Sequence, residues 1–357
     1  MTNYRFWGAL IVGVILSHFV LKAQDNSAFT KSEIQILFEG KTGDHSVCYR
    51  IPALAVAPNG DLIAAIDQRH DSCGDLKWNR NINIAIRKSS DGGKTWSNAE
   101  TIVDYPDGQS ASDPSIIVDN ASGQVFLFFN FMDLDREKEI YYHYVTVSQD
   151  NGQTWSEPKD ITPEITLPEW HNDFKFITSG RGIVTSTGQL LHTLVNLQRG
   201  VTLFGSNDSG KSWFVGASAV NPADESQLIE AKDETIVMNS RVNGAGIRYI
   251  HTTSDDGATW ESRPDSSLVD PGCNAGLIKN ETGKWFFSNL KSQKDRRRLM
   301  IQTSDNEGKT WKEMTTVYPG SSAYSSMTLL PDQTIGLLFE LDDYSKVGFV
   351  KLKTESW

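Results

Sequence analysis

The sequence predicts an all-β protein, and more specifically a six-bladed β-propeller, because two independent repeats run along it. The first repeat is an eight-residue box that ends in tryptophan. The second is a hairpin-like segment in which two apolar runs flank a polar turn. Repeats of about 40 to 50 residues, each built from short strands, are typical of propeller blades.

The box occurs as SSDGGKTW (89–96), SQDNGQTW (148–155), SNDSGKSW (206–213), TSDDGATW (253–260) and a degenerate SDNEGKTW (304–311). Its closing tryptophans are 59, 58, 47 and 51 residues apart. The aspartate can bond backbone N–H groups in a turn, the glycine supplies a positive φ, and the tryptophan buries a large ring. In the fifth copy Asn306 replaces the aspartate. The box therefore predicts turns and a fold, but no chemistry.

The hairpin-like segments number six, and each predicts an antiparallel pair of strands. They cover residues 53–66, 115–130, 182–195, 227–241, 275–289 and 327–340. Six hairpins imply six blades of about four strands each. Because the repeats leave no linker, we expect residues 24–357 to form one domain, although 357 residues would suffice for two of average size.

The N-terminus predicts a signal peptide over residues 1–23. Arg5 precedes a largely apolar run at 7–21, and small residues near Ala23 suit cleavage. A membrane span needs about 20 apolar residues, so this run is too short to anchor the protein. We expect a secreted or periplasmic protein with no membrane attachment after signal removal.

Composition excludes several classes of protein. With 38% hydrophobic and 22% charged residues the chain is globular, and a net charge of -11 argues against a nucleic-acid partner. Three cysteines do not make a disulfide scaffold, and no spacing indicates a zinc site. Cys48 and Cys73 pair in an oxidising compartment or stay free and buried, and free cysteine is the more ordinary interpretation.

Charged residues recur just outside the open ends of the predicted hairpins. They are Arg50, Arg69, Asp113, Glu225, Arg241 and Glu340, with Tyr324 beside them. Hairpins of different blades bring these ends to one face, where such charges must pair or bind something. We therefore expect one polar site there.

At these positions the chain resembles the bacterial-type exo-sialidases, also called neuraminidases, of glycoside hydrolase family 33. The resemblance extends from about Glu33 to the end and rests on YRIP at 49–52, the boxes and the positions around them. It implies that Tyr324 is the nucleophile, Glu225 its assisting base and Asp75 the acid/base.

The resemblance also implies an arginine triad for the substrate carboxylate, formed by Arg50, Arg241 and one arginine of the run 296–298. Arg296 is favoured, because it precedes the strand Leu299-Met300-Ile301 at the family's spacing. Arg297 and Arg298 then form a basic hairpin tip.

Three further roles follow from the resemblance. Arg69 and Asp113 match residues that contact the hydroxyl and N-acetyl side of the sugar, and Glu340 matches a carboxylate that holds Arg50. The implied partners are sialylated glycans, the implied state is a monomer, and the mechanism requires no cofactor or metal.

A tyrosine nucleophile suits this substrate, because an anionic nucleophile would be repelled by the carboxylate on the anomeric carbon. Two other functions remain open. Such boxes also occur in non-catalytic glycan-binding propellers. A trans-sialidase, or an intramolecular enzyme that releases an anhydro sugar, would keep the same residues and differ in the acceptor.

Overall fold

A computed structural model describes residue 1, residues 29–41 and residues 47–354. Apart from Met1, the predicted signal peptide at residues 1–23 lies outside the described residues. In the described ranges, no helix combines the length and apolar character needed to cross a bilayer.

The predicted all-β class is confirmed. The described residues form 26 strands and three short helical turns, Leu76–Trp78, Thr162–Ile165 and Pro168–Trp170. The strands coincide with apolar runs rich in branched and aromatic side chains, which pack well on a pleated surface.

The strands fall into five sheets. Two short N-terminal strands, β1 (Phe29–Lys31) and β2 (Gln35–Glu39), join the last sheet. The first sheet contains β3 (Val47–Val56), β4 (Leu62–His70), β5 (Ile82–Ser89) and β6 (Glu100–Val103). The second contains β7 (Gln109–Asp119), β8 (Gln124–Asp133), β9 (Tyr142–Ser148), β10 (Lys159–Asp160) and β12 (Gly180–Arg181). The third contains β11 (Lys175–Ile177), β13 (Ile183–Val184), β14 (Leu190–Asn196), β15 (Gly200–Ser206) and β16 (Phe214–Val215).

The remaining strands form the last two sheets. The fourth sheet contains β17 (Ser226–Glu230), β18 (Ile236–Ser240), β19 (Ile247–Thr253) and β20 (Glu261–Val269). The eight-stranded sheet contains β21 (Gly276–Lys279), β22 (Trp285–Leu290), β23 (Arg297–Ser304), β24 (Lys312–Leu329), β25 (Ile335–Leu341), β26 (Lys346–Thr354), β1 and β2. Strand β24 divides this sheet, because residues 312–321 pair with β23 and residues 322–329 pair with β25.

Each of the six predicted hairpins contains an antiparallel pair of strands. The pairs are β3–β4, β7–β8, β13–β14, β17–β18, β21–β22 and β24–β25. The start of the first strand and the end of the second lie at the open end of such a pair.

Each box forms a turn between two strands of one sheet, as the first box does between β5 and β6. In the first box Asp91 Oδ1 accepts from the backbone N–H of Lys94 and Thr95, at 2.9 Å each. The Trp96 ring packs edge-on against Phe349 of β26, with 5.1 Å between centroids. In the fifth box Asn306 Oδ1 accepts from Thr310 N at 2.9 Å, so the amide replaces the aspartate as an acceptor.

Cys48 and Cys73 form a disulfide, with their Cα atoms 5.4 Å apart. The favoured expectation of free cysteines is therefore wrong for this pair. Cys48 pairs with Arg69 in the β3–β4 register, and the loop after β4 folds back over that pair. Cys273 is free and buried.

Candidate active site

A cleft of about 330 Å³ opens where the open ends of the hairpins meet. Seven of the nine predicted site residues line it: Arg50, Asp75, Asp113, Glu225, Arg241, Arg296 and Tyr324. They come from β3, the loop after β4, β7, the two ends of the β17–β18 pair, the start of β23 and β24. Residues far apart in sequence thus converge, as the hairpin ends predicted.

Tyr324 and Glu225 form a direct hydrogen bond at the centre of the cleft. The Tyr324 hydroxyl donates to Glu225 Oε2 at 2.7 Å. Arg241 Nη1 donates to the Tyr324 hydroxyl oxygen at 3.2 Å and also bonds Glu225 Oε2. A phenol, a carboxylate acceptor and a guanidinium are therefore in contact with one another.

Burial decides the protonation of this pair. It raises the pKa of Tyr324 well above its ordinary value, and the negative charge of Glu225 adds to the rise, while Arg241 opposes it. Burial also raises the pKa of Glu225, against the opposing charge of Arg241. The phenol therefore keeps its proton at neutral pH, and Glu225 is positioned to accept that proton.

Glu340 holds Arg50 at the cleft, as the resemblance implied. It lies in β25, and its Oε1 accepts from Arg50 Nε at 2.6 Å and from Ile51 N at 2.9 Å. Its Oε2 accepts from Tyr324 N at 3.1 Å. One buried carboxylate thereby fixes an arginine and the backbone of the cleft tyrosine.

The arginine run resolves in favour of Arg296 as the cleft residue. Its Nη2 donates to Gly272 O at 2.8 Å, and its guanidinium carbon lies 5.5 Å from the Tyr324 ring centroid. Arg297 and Arg298 are exposed and border a different surface depression. Arg297 and Arg298 therefore lie outside the cleft, at the basic hairpin tip.

Asp75 lies at the cleft edge, and its side chain is 62% exposed. The residue directly precedes the Leu76–Trp78 turn, and its Oδ1 accepts from Arg69 Nη1 at 2.8 Å. The Cys48–Cys73 disulfide attaches this loop to β3 two residues before Arg50. Its carboxyl is therefore accessible to a ligand that enters the cleft.

Arg69 lies behind the cleft wall formed by the acid loop, and its contact with the sugar stays a prediction. It is 1% exposed and does not line the cleft. Its Nη2 donates to Asp67 Oδ2 at 2.8 Å, and its Nη1 donates to Cys73 O at 2.9 Å as well as to Asp75. Arg69 thus positions the acid loop from behind, because its Nη1 bonds three residues of that loop.

Asp113 lies between the cleft and a second carboxylate, that of Asp67. The backbone N–H of Asp113 donates to Asp67 Oδ1 at 2.8 Å, and Asn130 Nδ2 donates to Asp113 Oδ2 at 3.0 Å. Burial, reinforced by the charge of Asp67, raises the pKa of Asp113 to about 8. The rise favours the neutral form of the Asp113 carboxyl, which can donate a hydrogen bond to a ligand.

Substitution of Asp113 by Asn tests this protonation. The folded protein holds the Asp113 proton up to about pH 8, whereas an unfolded carboxyl releases it near pH 4. Between about pH 4 and pH 8 unfolding releases the Asp113 proton. The contribution of Asp113 to the free energy of unfolding therefore falls as pH rises, by at most about 1.4 kcal/mol per pH unit. Asparagine removes this contribution. Denaturant unfolding of both proteins from pH 4.5 to 7.5 measures their free energies of unfolding. The excess of the wild-type value over the Asp113→Asn value should decrease as pH rises. A constant difference would contradict the protonated state.

Sequence reasoning missed three polar residues that organise the cleft. Asp67 alternates with Arg69 on one face of β4, a spacing that the sequence displays. Asp224 Oδ1 accepts from Glu225 N at 2.8 Å. The Tyr344 ring lies 4.1 Å from the Arg50 guanidinium carbon, and its hydroxyl accepts from Arg296 Nη1 at 3.3 Å. Tyr344 follows two residues of positive φ, and no sequence pattern we used indicates its position.

No group of three or more His, Cys, Asp or Glu side chains with metal-binding geometry occurs in the part of the chain that the structure describes.

Residues 74–337 match the family described as BNR repeat-like domain. A sialidase of Micromonospora viridifaciens is 32% identical over 82% of this chain and 50% of its own length. A sialidase of Bacteroides fragilis is 29% identical over 83% of this chain and 60% of its own length. The solved Hadza microbial sialidase Hz136 superposes with a TM-score of 0.78 and 28% identity, over 86% of this chain and 66% of that one. The chain thus spans only about half the length of the curated relatives it matches. It belongs to the BNR repeat-like family and, within it, to the bacterial sialidases.

Proposed function

We propose that this protein is an exo-α-sialidase, a glycoside hydrolase that removes terminal sialic acid with retention of configuration. The observation that carries the proposal is the 2.7 Å hydrogen bond from the Tyr324 hydroxyl to Glu225, inside a group of three arginines. A glycan-binding propeller without activity has no need for a buried phenol paired with a proton acceptor.

The three arginines suit the carboxylate of sialic acid. Arg50, Arg241 and Arg296 line one cleft, and a planar guanidinium fork binds a carboxylate with paired charge-assisted bonds. Three cations would repel one another, and Glu340 and Glu225 offset this by pairing with Arg50 and Arg241. The three guanidinium groups thus give an anionic ligand a local binding site in a protein of net charge -11.

Tyr324 acts as the nucleophile and Glu225 as its base. A neutral phenol approaches the anionic anomeric centre without charge repulsion but attacks weakly while protonated. Glu225 accepts the phenolic proton as the oxygen bonds to the anomeric carbon, and Arg241 lies within hydrogen-bonding distance of that oxygen. The product of this step is a tyrosyl-enzyme intermediate.

Asp75 protonates the departing aglycone oxygen and then activates water on the same face. Its side chain is exposed, so the bound glycan must supply the desolvation that favours the protonated acid. Two displacements at one carbon give net retention, which makes α-sialic acid the first product.

We also propose that the sheets are the six blades of a propeller that forms one domain. Four sheets supply one blade each, and the eight-stranded sheet supplies two, divided at β24. Strand β2 pairs with β26 and would close the last blade. The Cys48–Cys73 disulfide supports export to an oxidising compartment, which agrees with the predicted signal peptide.

Product analysis by proton NMR tests the proposed function. Incubation with sialyllactose should release α-sialic acid first, followed by its slower mutarotation to the β-anomer. A sialylated acceptor would indicate a trans-sialidase, and an anhydro sugar would indicate an intramolecular enzyme. Absence of any product over a range of linkages would favour the non-catalytic alternative.

Lysine substitutions test the arginine clamp. Arg241→Lys and Arg50→Lys keep the charge but lose the fork, so binding of the planar dehydrated sialic acid analogue should weaken by about tenfold or more. Arg296→Ala should have a much larger effect than Arg297→Ala, which is the matched control on the exposed hairpin tip. Calorimetric titration of the analogue measures all four. Wild-type affinity in both lysine variants would place the clamp elsewhere.

A further inference from the structure

A second cavity, of about 720 Å³, lies at the other ends of the strands that form the cleft. We call it the rear cavity, and its walls include Ala55, Ile117, Arg181, Leu228, Ile278 and Leu329. Strand β3 places Arg50 in the cleft and Ala55 here, and β24 places Tyr324 in the cleft and Leu329 here. At about 3.3 Å per residue, roughly 15 Å separate the two sites along each strand.

Two cations, Arg181 and Lys279, line this cavity of mixed polar and apolar character, and Arg181 is the one without a carboxylate partner among the described residues. Its Nη1 donates to Met327 O of β24 at 3.2 Å. Across the described residues this is the single hydrogen bond of the Arg181 side chain, which forms no ion pair there. A guanidinium carries five N–H donors, so four remain for whatever occupies the cavity.

Arg181 has no carboxylate partner within the described ranges, unlike three other arginines of the chain. Arg69 and Arg248 lie 2.8 Å and 3.3 Å from Asp67 and Asp270. Arg50 lies 2.6 Å from Glu340. Burial lowers the pKa of Arg181 to about 10, and no neighbouring carboxylate raises it again. A partly buried cation without a counter-charge is stabilised when an anion binds beside it.

The acidic residues around the cavity already have other partners. Both carboxylate oxygens of Glu230 accept from Ser186 N, at 2.9 and 3.0 Å, and Lys279 Nζ lies 3.7 Å from Oε2. Glu281 is exposed and accepts from Gln333 Nε2 at 3.0 Å. The charge of Arg181 is therefore left uncompensated within the described chain.

We propose that the rear cavity is a binding site for a small organic carboxylate, held by the Arg181 guanidinium. The planar fork matches the two oxygens of a carboxylate. The walls formed by Ile117, Leu228 and Ile278 add favourable burial only to a ligand with a hydrocarbon part. An inorganic anion gains nothing from such walls, so a short monocarboxylate is the class that fits both features.

Thermal unfolding of the full chain tests the site, with sodium butyrate as the probe and sodium chloride at equal ionic strength as the reference. Both are measured with the cleft saturated by the planar dehydrated sialic acid analogue, so that the cleft arginines do not contribute. Butyrate at a large excess over its Kd should raise the Tm of the wild-type protein by about 2 to 4 °C. Arg181→Met should abolish this rise.

Lys279→Met is the matched control, because it removes a cation of the same cavity that already pairs with Glu230, and it should keep the butyrate effect. If Arg181→Met does not fold, Arg181→Lys and calorimetric titration replace it, with butyrate affinity reduced by about tenfold. An equal Tm rise in chloride, or an undiminished butyrate effect without the Arg181 fork, would overturn the proposal. The comparison of butyrate binding between the wild-type protein and the Arg181 variant does not depend on catalysis. It therefore tests the rear cavity even if the sialidase assay detects no activity.

Discussion

Tyr324→Phe should lower kcat on any sialoside by about 100-fold or more while binding of the dehydrated analogue changes little. The substitution removes one oxygen from a buried ring. It leaves Glu340 bonded to the backbone N–H of residue 324 and to Arg50, so the clamp keeps its geometry. The lost oxygen is the atom that attacks the anomeric carbon in the proposed mechanism.

The variant also leaves Glu225 without its phenolic donor, although Arg241 still bonds the carboxylate. A modest loss of stability is therefore expected, and unfolding should be measured beside the kinetics. Tyr105→Phe is the matched control, because it removes a phenolic oxygen from a ring that packs on Phe131 outside the cleft. A Tyr324→Phe enzyme that retained more than about a tenth of the wild-type rate would contradict the nucleophile assignment.

The all-β class was predictable because its signals are local. Each box carries its own turn chemistry, and each hairpin its own pair of apolar runs, so both repeats could be read without knowing the tertiary structure. Strand β24 was harder to interpret. Its 18 residues continue through Pro319 and Gly320 and pair with two different strands, and only tertiary pairing distinguishes its halves.

The cleft was predictable where a residue lies at the open end of a hairpin, as Arg50, Glu225 and Tyr324 do. For Arg69 the sequence indicated the strand position, whereas its bonds to Asp67 and to the folded loop depend on tertiary structure and were not predictable. The disulfide was underestimated for a related reason. A separation of 25 residues says nothing about a loop that returns onto its own strand.

Asp75→Ala should reduce kcat/KM much more on sialyllactose than on an aryl sialoside such as the 4-methylumbelliferyl derivative. Galactose leaves as a strongly basic alkoxide and needs the proton, whereas the aryl group leaves well without it. The acid loop should stay in place in this variant, since Arg69 Nη1 still donates to Cys73 O and Gly74 O and the disulfide is untouched. A difference in the loss of kcat/KM between the two substrates therefore reports the loss of a general acid and not a displaced loop.

The comparison must use kcat/KM, which covers events through the first irreversible step. Steady-state kcat would mislead, because in the proposed mechanism Asp75 also assists the attack of water on the tyrosyl intermediate. That second step limits kcat for a substrate with a good leaving group. Asp71→Asn is the matched control, since Asp71 is an exposed acid of the same loop and asparagine tolerates its positive φ. It should leave both substrates near wild type. A group that only positions the sugar affects every leaving group alike. If Asp75→Ala lowers kcat/KM by factors that agree within about threefold on the two substrates, Asp75 is therefore excluded as the acid. The search for the acid would then turn to Asp71.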